Sequence, residues 1–281
     1  PIGANQDWLS ITYGDNKYVT IGFNSPFVAV CDPVTLVWDV IDTGVTANWT
    51  SIKWTGLNFI AVAEGSNIAI KSVDGVNWSS FDLGYTEGWT DIITDLQGNV
   101  IVICNTSNNY LLSTNFGISW QELTFAVNGS WKTGANNGSQ WVVVATDSNV
   151  ALFSYDGINW TTATLPSVDA WSSIVYGENG YILVSANVNN QIAKSIDGEN
   201  WVAYAIPFSA SWNSISYSNG IYMTIAADTN IAVYSYDGAL WQLSNLPKDT
   251  NWVSVAGSEF GFVACANGLY TASLGTADFA E

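Results

Sequence analysis

The sequence predicts an all-β chain folded as a seven-bladed β-propeller. Three observations predict it: two interleaved tryptophan series, a recurring turn between them, and short β-branched runs with no helical pattern. Trp8, Trp49, Trp89, Trp131, Trp171, Trp212 and Trp252 are separated by 41, 40, 42, 40, 41 and 40 residues. Trp38, Trp78, Trp120, Trp160, Trp201 and Trp241 follow in steps of 40, 42, 40, 41 and 40. Thirteen of the 15 tryptophans therefore fall in two periodic series, and a period near 40 with strand-like content is the signature of propeller blades. Length alone suggests about two domains; the repeat replaces them with one domain spanning 1–281.

Each unit predicts four antiparallel strands, a to d, in about 40 residues. Strand a begins at the first tryptophan, as in Trp171-Ser-Ser-Ile-Val-Tyr176 and Trp212-Asn-Ser-Ile-Ser-Tyr217. Strand b begins at the next aromatic, as in Tyr181-Ile-Leu-Val-Ser185, after a Gly/Asn turn. Strand c follows at Asn-Ile-Ala and strand d at the second tryptophan. No segment has apolar residues at helical spacing with caps, so no helix is expected. Regularity in both tryptophan series points to packing between blades rather than to exposed sugar-stacking platforms. The ends predict closure. The last unit reaches Phe279 where a strand-d tryptophan would stand, and residues 1–7 resemble the missing strand d. Joining the ends leaves ten residues between Phe279 and Trp8, against eleven from Trp241 to Trp252. A ring closed by the N-terminal strand leaves no open sheet edge.

Composition excludes more chemistry than any motif adds. Six Lys+Arg against 24 Asp+Glu give a formal charge of −18, all six cations are lysines, and there is no histidine. Nucleic-acid backbones would be repelled, so no nucleic-acid partner is expected. Histidine-based acid–base catalysis, Ser-His-Asp triads, His-ligated zinc and arginine clamps are all absent. No apolar run is long enough to span a bilayer, so no membrane insertion is expected, and no signal peptide is visible. Cys31, Cys104 and Cys265 have no metal-ligand spacing and read as buried thiols, with a Cys31–Cys265 disulfide between adjacent blades as the alternative. Carboxylate pairs are the remaining catalytic possibility. The acids outside the turn motif, among them Glu64, Glu87, Asp169, Glu178, Asp249 and Glu259, are scattered through turns and suit a solvated surface. No enzyme activity, cofactor or metal is expected.

The c–d junction carries the most specific motif: Ser72-Val-Asp74-Gly-Val-Asn-Trp78, with counterparts centred on Asp156, Asp197 and Asp237 and a longer copy, Ser113-Thr-Asn115-Phe-Gly-Ile-Ser-Trp120. These residues predict a turn in which Asp or Asn accepts backbone N–H groups and Gly takes positive φ. The pattern resembles the Asp-box, or BNR repeat, of sialidase-like propellers, with one residue fewer between Asp and Gly in four copies. That shortened form is similar to repeats in bacterial and phage surface propellers. Sialidase activity, as the resemblance implies it, depends on an arginine triad that this chain cannot build. Asp74, Asn115, Asp156, Asp197 and Asp237 are therefore assigned to turn structure.

The resemblance implies a structural or attachment protein on a virion surface, a bacteriophage decoration, tail or fibre component, whose partners are other virion proteins or a host-surface glycan or receptor. A soluble lectin, cytoplasmic or secreted by another route, is the alternative. A third reading, an assembly factor resembling the photosystem II propeller, lacks the basic patch that resemblance implies. Up-and-down blades put a–b and c–d turns on one side, b–c and d–a links on the other. The contact surface is expected on the second side, where turns vary: Asn67, Asn109, Asp147, Asn149, Asn190, Asp228 and Asn230, with the d–a aromatics Tyr85, Phe125 and Phe208.

Overall fold

The computed structural model describes residues 2, 6–268 and 271–274, and among these residues there are antiparallel strands and turns but no helix. Phe279, which the closure argument uses, lies outside the described residues, as do residues 1 and 3–5 of the N-terminal segment. Three units stand as separate four-stranded sheets in chain order. The first is Trp131–Asn136, Trp141–Ala145, Ser148–Ser154 and Thr161–Asp169. The next two run over Trp171–Gly177 to Val202–Ala210 and Trp212–Ser218 to Gln242–Thr250.

The remaining units are hydrogen-bonded into one continuous sheet, which the repeat does not predict. The cause is extended linkers. Trp38–Trp54 pairs with one strand through Val40↔Ala29 and with the next through Ile52↔Ala61, without a break between them. Lys17–Cys31 passes its b–c corner as a bulge at Asn24, with φ 49°, where the register shifts twice.

Burial falls from the inside outward. The second strand of a unit is buried along its whole length, as in Trp141–Ala145, Gly180–Ser185 and Ile221–Ala226. The fourth is mostly exposed, as in Val202–Ala210. Strands covered on both faces read as unbroken apolar runs, which is how these sequences read. The described core divides into clusters that each draw on two successive units. One holds Val144, Trp171 and Leu183, and another holds Ile2, Trp8, Tyr18 and Cys31 with Val263 and Cys265 from the last unit. All seven tryptophans of the first series are at most 1% exposed. Indole N–H groups of Trp49, Trp89 and Trp171 donate to the b–c carbonyls of Ser25, Ser66 and Ser148 in the preceding unit, at 2.9–3.0 Å. Burial of such a side chain is worth several kcal/mol, and the bond fixes its orientation.

Junctions between inner strands follow a rule that explains the third residue of each unit. Ser10, two residues after Trp8, accepts the N–H of Ile52 in the next unit, and Ser51 accepts that of Ile92. Ser173 and Ser214 do the same for Ile215 and Val255, and Ser254 of the last unit accepts the N–H of Ile11 in the first. Gln6 and Asp7 pair with Gly268 and Asn267, and Asp7 meets Asn267 in the register in which Asn48 meets Phe23 at the end of the preceding strand b. The three cysteines are free and buried, so the disulfide alternative is not adopted.

Candidate functional site

The c–d turns are built by their carboxylates. Asp156 Oδ1 accepts the N–H groups of Ile158 and Asn159 at 2.8 and 2.7 Å and the Ser154 hydroxyl at 3.0 Å, while Oδ2 takes the Asn159 amide at 2.7 Å. Asp74 and Asp197 repeat this arrangement, Asp237 keeps the backbone half, and Asn115 spans one residue more to Ser119. Gly157 sits at φ 72° with its N–H on the Ser154 hydroxyl. Backbone N–H bonds hold Asp74, Asp156 and Asp237 below the usual carboxylate range, from Asn77, Asn159 and Leu240 first. These residues are architectural and remain anionic. The first unit has an equivalent that the motif misses: Asp32 accepts the N–H groups of Val34 and Thr35, but stands six residues before its tryptophan instead of four.

Fixing the turns in this way leaves their intervening side chains outside. Val76, Ile118, Ile158, Ile196 and Leu240 are exposed, Ile196 by 79% and Leu240 by 77%, and Tyr155 and Tyr236 stand beside them. The a–b turns of the same side add Leu57, Leu96 and Phe260. Fourteen of the 22 exposed large apolar side chains among the described residues lie in these two sets of turns. The sets are linked: the Asn58 amide donates to Phe116 O and the Asn179 amide to Tyr236 O.

On the opposite side the predicted residues separate into two groups. Asp147, Asn149, Asn190 and Asp228 are exposed, with Asp147 and Asp228 both at φ 52° in tight corners, and Asn230 is half-buried. Asn67 and Asn109 are engaged internally, Asn67 with Asp82 and Asn109 with Glu87, Glu122 and Thr124. Tyr85 is 38% exposed, and Phe208 is half-buried against the core around Ile206 and Trp212. Phe125 is not a surface residue. It is 2% exposed, stacked on Tyr110 at 4.2 Å and packed on Trp131 and Trp160. Six residues before Trp89, Trp171, Trp212 and Trp252, Leu83, Leu165, Ile206 and Leu246 are equally buried, so in these units the position fills the core.

A cavity of about 560 Å³ runs along the inner strands, lined from all seven tryptophan-led segments. Twelve of its 29 lining residues bear hydroxyls, and several of these are already in use: Thr50, Thr90 and Ser172 donate to the carbonyls of Trp89, Trp131 and Trp212 in the next unit. Asp91 replaces the usual serine and accepts the Ser51 and Thr133 hydroxyls and the N–H groups of Ile92 and Gly134.

No family model and no curated protein matches the chain. Solved structures do. A streptogramin B lyase superposes with a TM-score of 0.82 at 12% identity, over 94% of this chain and 91% of that one. YCF48 bound to a D1 peptide gives 0.76 at 16% identity, over 97% and 95%. The β-propeller domain of Swd1 from Myceliophteria thermophila gives 0.73 at 9% identity, over 98% and 99%. These likenesses establish a β-propeller fold. They also correct one expectation. A lyase is built on this fold, so the sequence reading that the chain is not an enzyme does not stand.

Proposed function

We propose that the chain is a closed seven-bladed propeller that serves as a protein-binding platform through its a–b/c–d face. Closure is supported by the shared core of the first and last units and by the Ser254–Ile11 bond, which repeats the other junctions. The binding reading rests on one observation, the concentration of exposed aliphatic side chains in rigid turns of one face. Contiguous exposed apolar surface marks interaction sites. Eleven of those fourteen side chains are Val, Leu or Ile, which suit a protein partner better than a glycan, whose rings stack on aromatics. The ionised turn carboxylates between them favour a partner with basic groups around apolar contacts. A propeller bound to a peptide, as YCF48 is to D1, illustrates that mode on this fold. The likeness of the repeats to phage surface propellers makes a virion assembly the setting we propose.

The test is co-sedimentation with particles from the source, followed by hydroxyl-radical footprinting. Protection of Tyr155 and Tyr236 with Tyr85 left reactive supports the reading. Protection of Tyr85 alone, or ligands found only on a glycan array, overturns it.

A further inference from the structure

We propose that the central cavity is a second, separate site that binds a small organic anion with an apolar body. The argument concerns the residue immediately after each first-series tryptophan, all seven of which line the cavity at one level. Four of the seven are committed: Thr50, Thr90, Ser172 and Asn213 donate to the carbonyl of the next unit's tryptophan. The other three are Leu9, Lys132 and Val253.

Inner strands neighbour one another in unit order, and the last neighbours the first. Leu9 and Val253 are therefore side by side, while Lys132 stands three junctions from each and faces them across the cavity. Both apolar residues are half-buried and belong to neither core cluster at that junction. Among the described residues no hydrogen bond, ion pair or ring contact engages the Lys132 ammonium, in a chain with 24 carboxylates. Of the two acids that line the cavity, Asp91 has its oxygens occupied by two hydroxyls and two N–H groups, and Glu64 stands exposed at the b–c corner of another unit. Lys53 lines the cavity further along the same walls and is likewise unengaged.

An uncommitted cation opposite an apolar pair, in a cavity of about 560 Å³, has the complementarity of a carboxylate or phosphate monoester carrying a short hydrocarbon or ring. Its head group would meet Lys132 and its body would cover Leu9 and Val253, removing apolar surface from water.

This placement rests on the ring order of the units, and its test is separable from the protein-binding face. Isothermal titration with octanoate, octyl phosphate, octylammonium, octanol and acetate is expected to show one saturable site for the two amphiphilic anions. Both should bind at least tenfold tighter than acetate, octanol or octylammonium. Lys132→Met should weaken octanoate at least tenfold, Leu9→Asn with Val253→Asn should bring it towards acetate, and Lys17→Met, on a turn ion pair with Asp15, should change nothing. Melting temperatures near that of the parent show that the ring is intact in each variant, and particle capture by Lys132→Met should be unaltered. No saturable octanoate binding, equal affinity for octylammonium, or no effect of Lys132→Met overturns the proposal.

Discussion

On the a–b/c–d face the carboxylates are tied to backbone amides and the aliphatic side chains stand in solvent. On the b–c/d–a face the balance shifts: Asn149, Asn190 and Asp228 stand in solvent beside fewer exposed aliphatics, among them Val168 and Val188, while Phe125 and its counterparts are drawn into the core. Both faces are built from turns rich in Asp, Asn, Ser and Gly, so composition does not tell them apart. What separates them is which groups the backbone consumes. A turn that uses its polar side chain to satisfy its own N–H groups has only its neighbours left to show a partner.

The largest effect that can break this contrast is on partner capture. The triple change Ile158→Asp, Ile196→Asp and Leu240→Asp should reduce particle binding at least tenfold while leaving the melting temperature within about 2 °C, because exposed positions away from packing cost little. Asn149→Ala, Asn190→Ala and Asn230→Ala together should leave capture unchanged. If the second set abolishes binding and the first does not, the faces have been exchanged.

Removing residues 1–7 comes next. Ile2 is 1% exposed in the core shared by the first and last units, and its loss together with the Gln6 and Asp7 pairing should lower the melting temperature by about 5 °C or more. An unchanged calorimetric transition would remove the N-terminal segment from ring closure.

Asp156→Ala should cost roughly 1–2 kcal/mol, since the Ile158 and Asn159 amides lose their acceptor. Chemical denaturation measures it, and particle capture should persist. Loss of capture at full stability would make the carboxylate a contact rather than a support.

The smallest effect is with pH. The turn carboxylates have folded pKa values below their unfolded ones, so the stability they contribute is complete above about pH 4 and is lost as pH falls further. Burial pushes Cys31 up to about 11 and Tyr18 up to about 12, so their contribution is complete below about pH 9 and is lost as pH rises through those values. With no histidine, melting temperature should be flat between pH 5 and 8, and a step within that window would contradict this account.

The period, the strand order and the turn chemistry were legible because each depends on residues that every unit needs: tryptophan for the core, Asp and Gly for the corner. The spacing of the ends is an argument for closure, but Phe279, on which it rests, lies outside the described residues. The sequence points to the b–c/d–a side for the contact surface, whereas the exposed aliphatic residues lie mostly on the other. Sequence inspection weighs polar variability, and Val76, Ile158 and Leu240 look like interior residues until the turn geometry puts them outside. Phe125 fails for the opposite reason: a linker aromatic looks exposed until its alignment with Leu83, Leu165, Ile206 and Leu246 is noticed. Asp32 was missed because its turn is two residues longer. The merged sheet arises from backbone extension at two kinds of corner, for which the sequence carries no marker beyond Asn24 and Pro26.

Ser10, Ser51, Ser173, Ser214 and Ser254, each two residues after its tryptophan, receive an N–H from the unit that follows, including the step from the last unit to the first. A circuit whose links share one orientation at those junctions has a direction but no privileged starting point. Where the chain is cut is then a matter of synthesis rather than of architecture. Permuted chains that begin at Trp49 or Trp171, with the original ends joined by a short linker, should fold to the same ring. Reversing the order of any two units would instead set the identity of each acceptor against its neighbour, most of all at Asp91, the one station where the circuit carries a charge.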